Sequence, residues 1–325
     1  MSCIGHFIFQ WKFVSLTFSF LNNLTFYLDL EEIRSISRMP GYIHHVQWCV
    51  ADLEKSIKTM MAGYQFKVVA TRYGKNQEVV LQSGDITFMI SQRTGSNQPE
   101  SGNCYPWLRC SCRTQTSHQI DSVFNMCLEV GDVDKTFNNM VSNGSKVLNP
   151  PRTVTTPDGF IRYCVVTSPC ENVIHSLVNT QNYHGVFLPG FLAPVMGTEE
   201  FTSNPGLFTQ IDHVALVANE GDTGRILDWY SKCCGMERFL ITKDEDLDDG
   251  TVFEDVGMRL SAGDWMSEWL CREKGVTWND DEDQTNRNFK LVVAEPLENR
   301  EDSHVHRYLK FKLAYEHVHY FFIKT

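Results

Sequence analysis

The chain lacks a run of apolar residues long enough to cross a membrane. Its longest early stretch, "FVSLTFSFL" at Phe13–Leu21, follows Lys12 and is broken afterwards by Asn22, Asn23 and Asp29, short of the roughly 18 apolar residues that a span needs. The same leader has no basic start for a secretory signal. It is poor in arginine and carries Asp29, Glu31 and Glu32, unlike a mitochondrial presequence. Positive charge is also scarce: 29 Lys and Arg stand against 40 Asp and Glu, a net charge of −11. That balance argues against nucleic acid or an anionic membrane surface as the main partner, since both repel an acidic protein. Paired C-x2-C motifs are absent from the eleven cysteines, an odd number scattered along the chain. A small disulfide scaffold is thereby excluded and a reducing compartment fits better. Cys104, Cys110 and Cys112 fall in one irregular stretch, but a tetrahedral zinc site wants a fourth ligand, and they read as loop thiols. The acidic runs Asp244–Asp249 and Asp280–Asp283 lack the ligand spacing and turn glycine of a calcium loop. They read as solvated loops.

What is present is a repeat. With 325 residues the chain can bury a substantial core and form two domains. From Ile43 the order is a strand ("HHVQWCV"), an amphipathic helix begun by Asp52, and three strands rich in β-branched and aromatic residues ("FKVVATRY", "QEVVLQSGD", "ITFMISQ"). This is a βαβββ unit. "FNMCLEVGDVDKTFNNMVSNGSKVL" (Phe124–Leu148) repeats its first half, with Asp132 answering Asp52 and Gly144 answering Gly63 at the helix end. A third copy starts at "IDHVALVANEGDTGRILDWYSKCCGMERF" (Ile211–Phe239), and a fourth first strand at His317, "HVHYFFIKT". One supersecondary unit written several times predicts an α+β fold built by repetition. Two units side by side curl their strands into a half-open barrel with one concave face. His45 and His213 hold the same place in their strands, and Asn125 holds it in the second unit. An amide is no strong transition-metal ligand, so His45 is expected to be a structural residue and the N-terminal pair of units to lack a full ligand set.

Paired βαβββ units of this kind resemble the vicinal oxygen chelate, or glyoxalase-like, fold. Particular phrases narrow the resemblance: "HGVFLPGFLAP" (His184–Pro194), then "TQIDHVALV", then "LVVAEPLENREDSHVHRYL" (Leu291–Leu309). Their order and wording are similar to the 4-hydroxyphenylpyruvate dioxygenase family, and closer still to its animal dioxygenase-like branch, over about residues 40–312. The resemblance implies one Fe(II) in the C-terminal domain, held by two histidines and a glutamate. It implies an aryl keto acid and O2 as small-molecule partners, and decarboxylation with hydroxylation to homogentisate or 4-hydroxymandelate, in aromatic amino acid or quinone-precursor metabolism. Two imidazoles and a carboxylate on one face leave three open positions for keto acid and O2. Carried over, His213 is the first ligand and His317 the second, with His319 as the alternative. Residues two apart in a strand share a face, so either can serve.

Other features depart from the family. The run of glycines before the second histidine is replaced by "FKLAYE", and the substrate-contacting Asn before "EP" is Ala294. No residue matches the glutamate ligand, so the C-terminal domain is expected to be incomplete. The expected division is an extension outside the fold (1–38), an N-terminal structural domain of two units (39–182), a linker (183–206) and a truncated metal-bearing domain (207–325). A homodimer is compatible with this reading. The resemblance implies a mitochondrial or cytoplasmic location.

Overall fold

A computed structural model describes residues 42–73, 77–92, 121–170, 173–194, 208–253, 258–259, 266–267, 270–278, 289–298, 303–310 and 315–322. The leader, Cys104, Cys110, Cys112 and the run Asp280–Asp283 lie outside the described residues.

The first unit forms β1 (Tyr42–Val50), α1 (Leu53–Tyr64), β2 (Lys67–Arg72), β3 (Glu78–Ser83) and β4 (Ile86–Gln92). The second forms β5 (Ser122–Glu129), α2 (Val133–Ser142), β6 (Val147–Thr156), β7 (Gly159–Thr167) and β8 (Ile174–Asn179). Both helices start as their sequences predict: Asp52 and Asp132 each accept a hydrogen bond, at 2.9 Å, from the backbone N–H three residues on, satisfying a donor that the helix cannot. Only the end of α1 differs from expectation. Gly63 stays inside α1, and the left-handed position falls on Gln65 (φ 55°), whereas Gly144 does adopt positive φ (97°) beyond α2. The strand β6 carries Pro150 and Pro151 yet pairs with β7. It lies at the sheet edge, where a residue without an N–H costs no ladder bond.

The two units share one eight-stranded sheet in the order β2-β3-β4-β1-β5-β8-β7-β6. The order is the same when read outward from the centre in either direction. β1 and β5 pair antiparallel in the middle, and each is flanked by the parallel last strand of its own unit. The sheet is open, with β2 and β6 at its ends, rather than a closed barrel.

The chain then builds a second sheet on the same plan. β9 (Phe208–Val217) leads into α3 (Thr223–Cys234), β10 (Glu237–Phe239), β11 (Thr251–Phe253), the short pair β12 (Met258–Arg259) and β13 (Met266–Ser267), then β14 (Cys271–Thr277) and β15 (Lys290–Pro296). After α4 (His304–Lys310), β16 (Tyr315–Phe322) lies antiparallel to β9, as β5 lies beside β1. The order is β10-β14-β15-β9-β16, with β11 also on β14. The start of α3 is held from β15: Glu295 accepts from Thr223 Oγ1 at 2.7 Å and from the backbone of Gly221 at 3.0 Å. Asp244–Asp249 is a turn-rich, largely exposed segment in which Glu245 and Asp246 accept backbone N–H groups, in line with a solvated loop.

Two apolar cores result. The larger runs from the helix-bearing side of the first sheet (Leu53, Met60, Val133, Met140) to the second sheet and α3 (Val214, Leu216, Ile226, Leu227). The smaller fills the other face of the first sheet, where Val80, Met89, Cys127, Tyr163 and Val165 meet Leu188 and Phe191. The described part of the expected linker, residues 183–194, is therefore packed rather than a free strap. Leu192 exchanges two backbone hydrogen bonds with Thr71 of β2, at 2.8 and 2.9 Å.

Candidate metal centre

The strand that opens each unit carries a one-residue irregularity in the same place. In β1, Ile43 faces Leu128 and His45 faces Cys127, so His44 is an extra residue; on β5, Phe124 is extra between Val123 and Asn125. In the β9–β16 ladder the extra residues are Asp212 and Glu316. Each bulge directly precedes the position of the repeated histidine: His45, Asn125, His213 and His317. A bulge breaks the strict alternation of a strand and re-aims a side chain. Two successive side chains can then reach the same side, and in β1 and β9 they do.

On β9, His213 Nδ1 donates to Asp212 Oδ2 at 2.9 Å. Asp212 also meets Lys290 Nζ at 3.5 Å. Burial alone would raise the Asp212 pKa, but the hydrogen bond from His213 and the Lys290 ammonium outweigh it and hold the carboxyl below its ordinary range. An ionised carboxylate only accepts, so the Nδ1 proton is fixed and Nε2 carries the imidazole lone pair. A carboxylate behind a histidine is the usual orienting partner of a metal ligand. The His213 side chain is 20% exposed, within reach of solutes.

The β9–β16 register places His319 directly opposite His213, and His317 opposite Ala215. Both candidates for the second ligand thus sit beside β9. By its bulge His317 is the counterpart of His213, and by its pairing His319 is the neighbour. Ala294 is not brought to them. It is fully buried in the larger core and pairs with Val217, whereas His213 pairs with Lys290. That separation is four residues, or about 13 Å along the strands. Among the described residues, no group of three ligating side chains includes His213. The His213 ring, oriented through Nδ1 by Asp212, is a nitrogen donor of the kind that fits an Fe(II).

The first sheet holds a cluster that sequence reasoning missed. His44, His45 and Cys127 bring one ligand atom each to within 4.8 Å of one another. The two Nδ1 atoms are 2.8 Å apart. Burial first, then the neighbouring His44, push His45 well below its ordinary pKa, so its ring is neutral. Burial and Glu129 push the Cys127 thiol well up. Phe187 lies against both imidazoles, with ring centroids at 5.3 and 5.1 Å. Asn125, in contrast, is tied into hydrogen bonds with Gln47 (3.2 Å) and with Ser176 (2.8 and 3.0 Å). Two signals in the sequence point to the cluster: the His44–His45 doublet inside a strand, and a cysteine two residues past the second unit's equivalent of His45. Cys127, Cys164, Cys170, Cys233, Cys234 and Cys271 are in no disulfide, whereas Cys49 is disulfide-bonded, unlike the reduced thiols expected from the sequence.

Residues 42–175 match the family described as Glyoxalase/Bleomycin resistance protein/Dioxygenase superfamily. The chain is 26% identical over 220 residues to the rat 4-hydroxyphenylpyruvate dioxygenase-like protein, covering 67% of this chain and 53% of that one. It is 24% identical over 291 residues to 4-hydroxyphenylpyruvate dioxygenase from Aspergillus fumigatus, covering 85% of this chain and 65% of that one. The chain spans about half the length of the first curated relatives it matches. Among solved structures it resembles a mutant 4-hydroxymandelate synthase from Streptomyces coelicolor, with a TM-score of 0.60 and 15% identity over 86% of this chain and 69% of that one. That likeness bears on the fold. No helix among the described residues is long and apolar enough to cross a membrane.

Proposed function

We propose, from the match of residues 42–175 to the Glyoxalase/Bleomycin resistance protein/Dioxygenase superfamily, that the chain is an Fe(II)-dependent dioxygenase of 4-hydroxyphenylpyruvate or a similar aryl keto acid. The observation that carries the reading is the β9–β16 ladder, with His213 oriented by Asp212 and His319 and His317 alongside. His213 and His317 are the proposed ligands, with His319 as the alternative second. A bound Fe(II) would supply a redox-active Lewis acid at which keto acid and O2 meet. The chain's own part is positional. Asp212 keeps the Nδ1 proton in place, which turns Nε2 toward a ligand and raises its basicity, and the bulge lets the two side chains meet. The balance needs no external reductant: aryl pyruvate and O2 give CO2 and a hydroxylated acid one carbon shorter, either homogentisate or 4-hydroxymandelate, with both oxygen atoms incorporated.

A second reading is a relative that binds the ligand without turnover. The burial of Ala294, where the family places an asparagine, favours it, since an alanine makes no amide hydrogen bond to a substrate. Oxygen uptake by the Fe(II)-loaded chain with 4-hydroxyphenylpyruvate decides between them. Substrate-dependent uptake that is lost in His213→Ala supports the dioxygenase. Bound iron without uptake supports the binder. Unchanged iron stoichiometry in His213→Ala removes the ligand assignment.

A further inference from the structure

The cluster in the first sheet occupies the same register as the candidate centre in the second. His44 is the bulged residue, as Asp212 is; His45 follows it, as His213 does; and Cys127 faces His45 across the ladder, as His319 faces His213. The difference is chemical. Where β9 presents a carboxylate and an imidazole, β1 presents two imidazoles, and the facing residue is a thiol.

We propose that His44 Nδ1, His45 Nδ1 and Cys127 Sγ form a second, separate site for a thiophilic divalent cation of the zinc class. Imidazole and thiolate donors are the set that selects such an ion over the hard cations that prefer oxygen. Geometry supports it. Tetrahedral Zn–N bonds of about 2.0–2.1 Å set two ligand nitrogens about 3.3 Å apart, close to the 2.8 Å between these Nδ1 atoms. The sulfur lies within the same 4.8 Å cluster, so small side-chain rotations bring it to bonding distance. Charge supports it too. A divalent cation with one thiolate carries one net positive charge, and the buried Glu129 offsets it. That carboxylate stands 4.0 Å from His44 Nε2 and is fixed by Thr180, which donates from its backbone at 2.9 Å and from Oγ1 at 2.7 Å. A carboxylate behind the imidazole repeats the arrangement expected around a metal ligand. His45 and Cys127 are buried at 2% and 0% exposure, while the His44 side chain keeps 13%. The ion therefore enters past His44 and the Phe187 ring. On binding, the thiol proton leaves to solvent and the sulfur's electron pair forms the bond to the metal. The fourth position is left to water.

This site does not depend on the dioxygenase reading of His213, and the two can fail separately. The test uses the full chain with Co(II) in place of Zn(II), because cobalt–thiolate bonds give a charge-transfer absorption that imidazole and carboxylate do not. The expected result is one equivalent of Co(II) with that band, kept in His213→Ala and lost in Cys127→Ser. Zn(II) should displace it. His44→Ala, on the exposed side, should weaken Co(II) binding by at least ~10-fold and decides the matter if Cys127→Ser does not fold. No band in the folded wild-type chain overturns the proposal. A band that survives Cys127→Ser does the same, since the thiolate would then belong to another cysteine, and so does unchanged affinity in His44→Ala.

Discussion

The two sheets repeat one plan and put it to different uses. Both have a central antiparallel ladder with a bulge before the repeated position, yet His45 is 2% exposed and His213 keeps 20% at its side chain. The cover of the first ladder is built from its own chain. Residues 183–192 lay Leu188 and Phe191 onto the first sheet, and Arg72 crosses the Phe191 ring at 4.9 Å. Arg72 also pairs with the buried Glu78, whose carboxyl burial pushes up to about 7 despite that partner. The first sheet is covered on this face by its own chain, and its ligating cluster is the more buried of the two, open only on the His44 side. Duplicated ladders thus need not share access.

The comparison can be broken most directly at the seal. Phe191→Ala leaves a cavity over the first sheet and should cost about 3–5 kcal/mol, read as a lower urea midpoint with an unchanged slope. A loss under ~1 kcal/mol would show that the connecting segment lies on the sheet without supporting it. Next comes the seam between the sheets, where fully buried His175 bonds Tyr230 of α3 at 2.9 Å. Burial lowers its pKa from 6.5 to about 4. Between those values the unfolded chain takes up a proton that the folded one refuses. This contribution to stability is therefore complete above pH 6.5 and falls as pH drops toward 4, by up to ~3 kcal/mol. His175→Gln should flatten that slope in acid titration of the urea midpoint; an unchanged slope would assign it to other groups. A smaller effect is expected at the second ladder, where Asp212→Asn should weaken metal binding ~10–100-fold while the chain stays folded. Equal affinity by metal titration would detach Asp212 from the centre. Smallest is the helix-end contrast: α1 ends on Gln65 at φ 55° and α3 on Gly235 at φ 66°. Gln65→Gly should stabilise by ~1 kcal/mol and Gly235→Ala should destabilise by about as much in thermal melts.

Much of the plan was legible because it rests on local chemistry. Runs of β-branched and aromatic residues marked β1, β3, β4 and β9, and Asp52 and Asp132 marked the helix starts. The strand β6 was not legible, because Pro150 and Pro151 read as a loop wherever the edge position is unknown. Gly63 misled for a related reason: packing, not residue preference, carried α1 on to Gln65. The bulges were not legible, because an extra residue shows only against the register of the partner strand, yet they bring Asp212 to His213 and His44 to His45. That is why His213 was found from its pattern, while His45 read as merely structural until Cys127 was seen across the ladder.

The ends of the eight-stranded sheet have a consequence for the protein in a crowded solution. An exposed strand edge is a template on which another chain can add itself. One end here is β6, where two prolines remove donors from the edge, and the other is β2, where Leu192 already occupies backbone groups of Thr71. Neither end offers a continuous row of vacant partners. Self-association of this sheet by strand addition is thus discouraged at both ends.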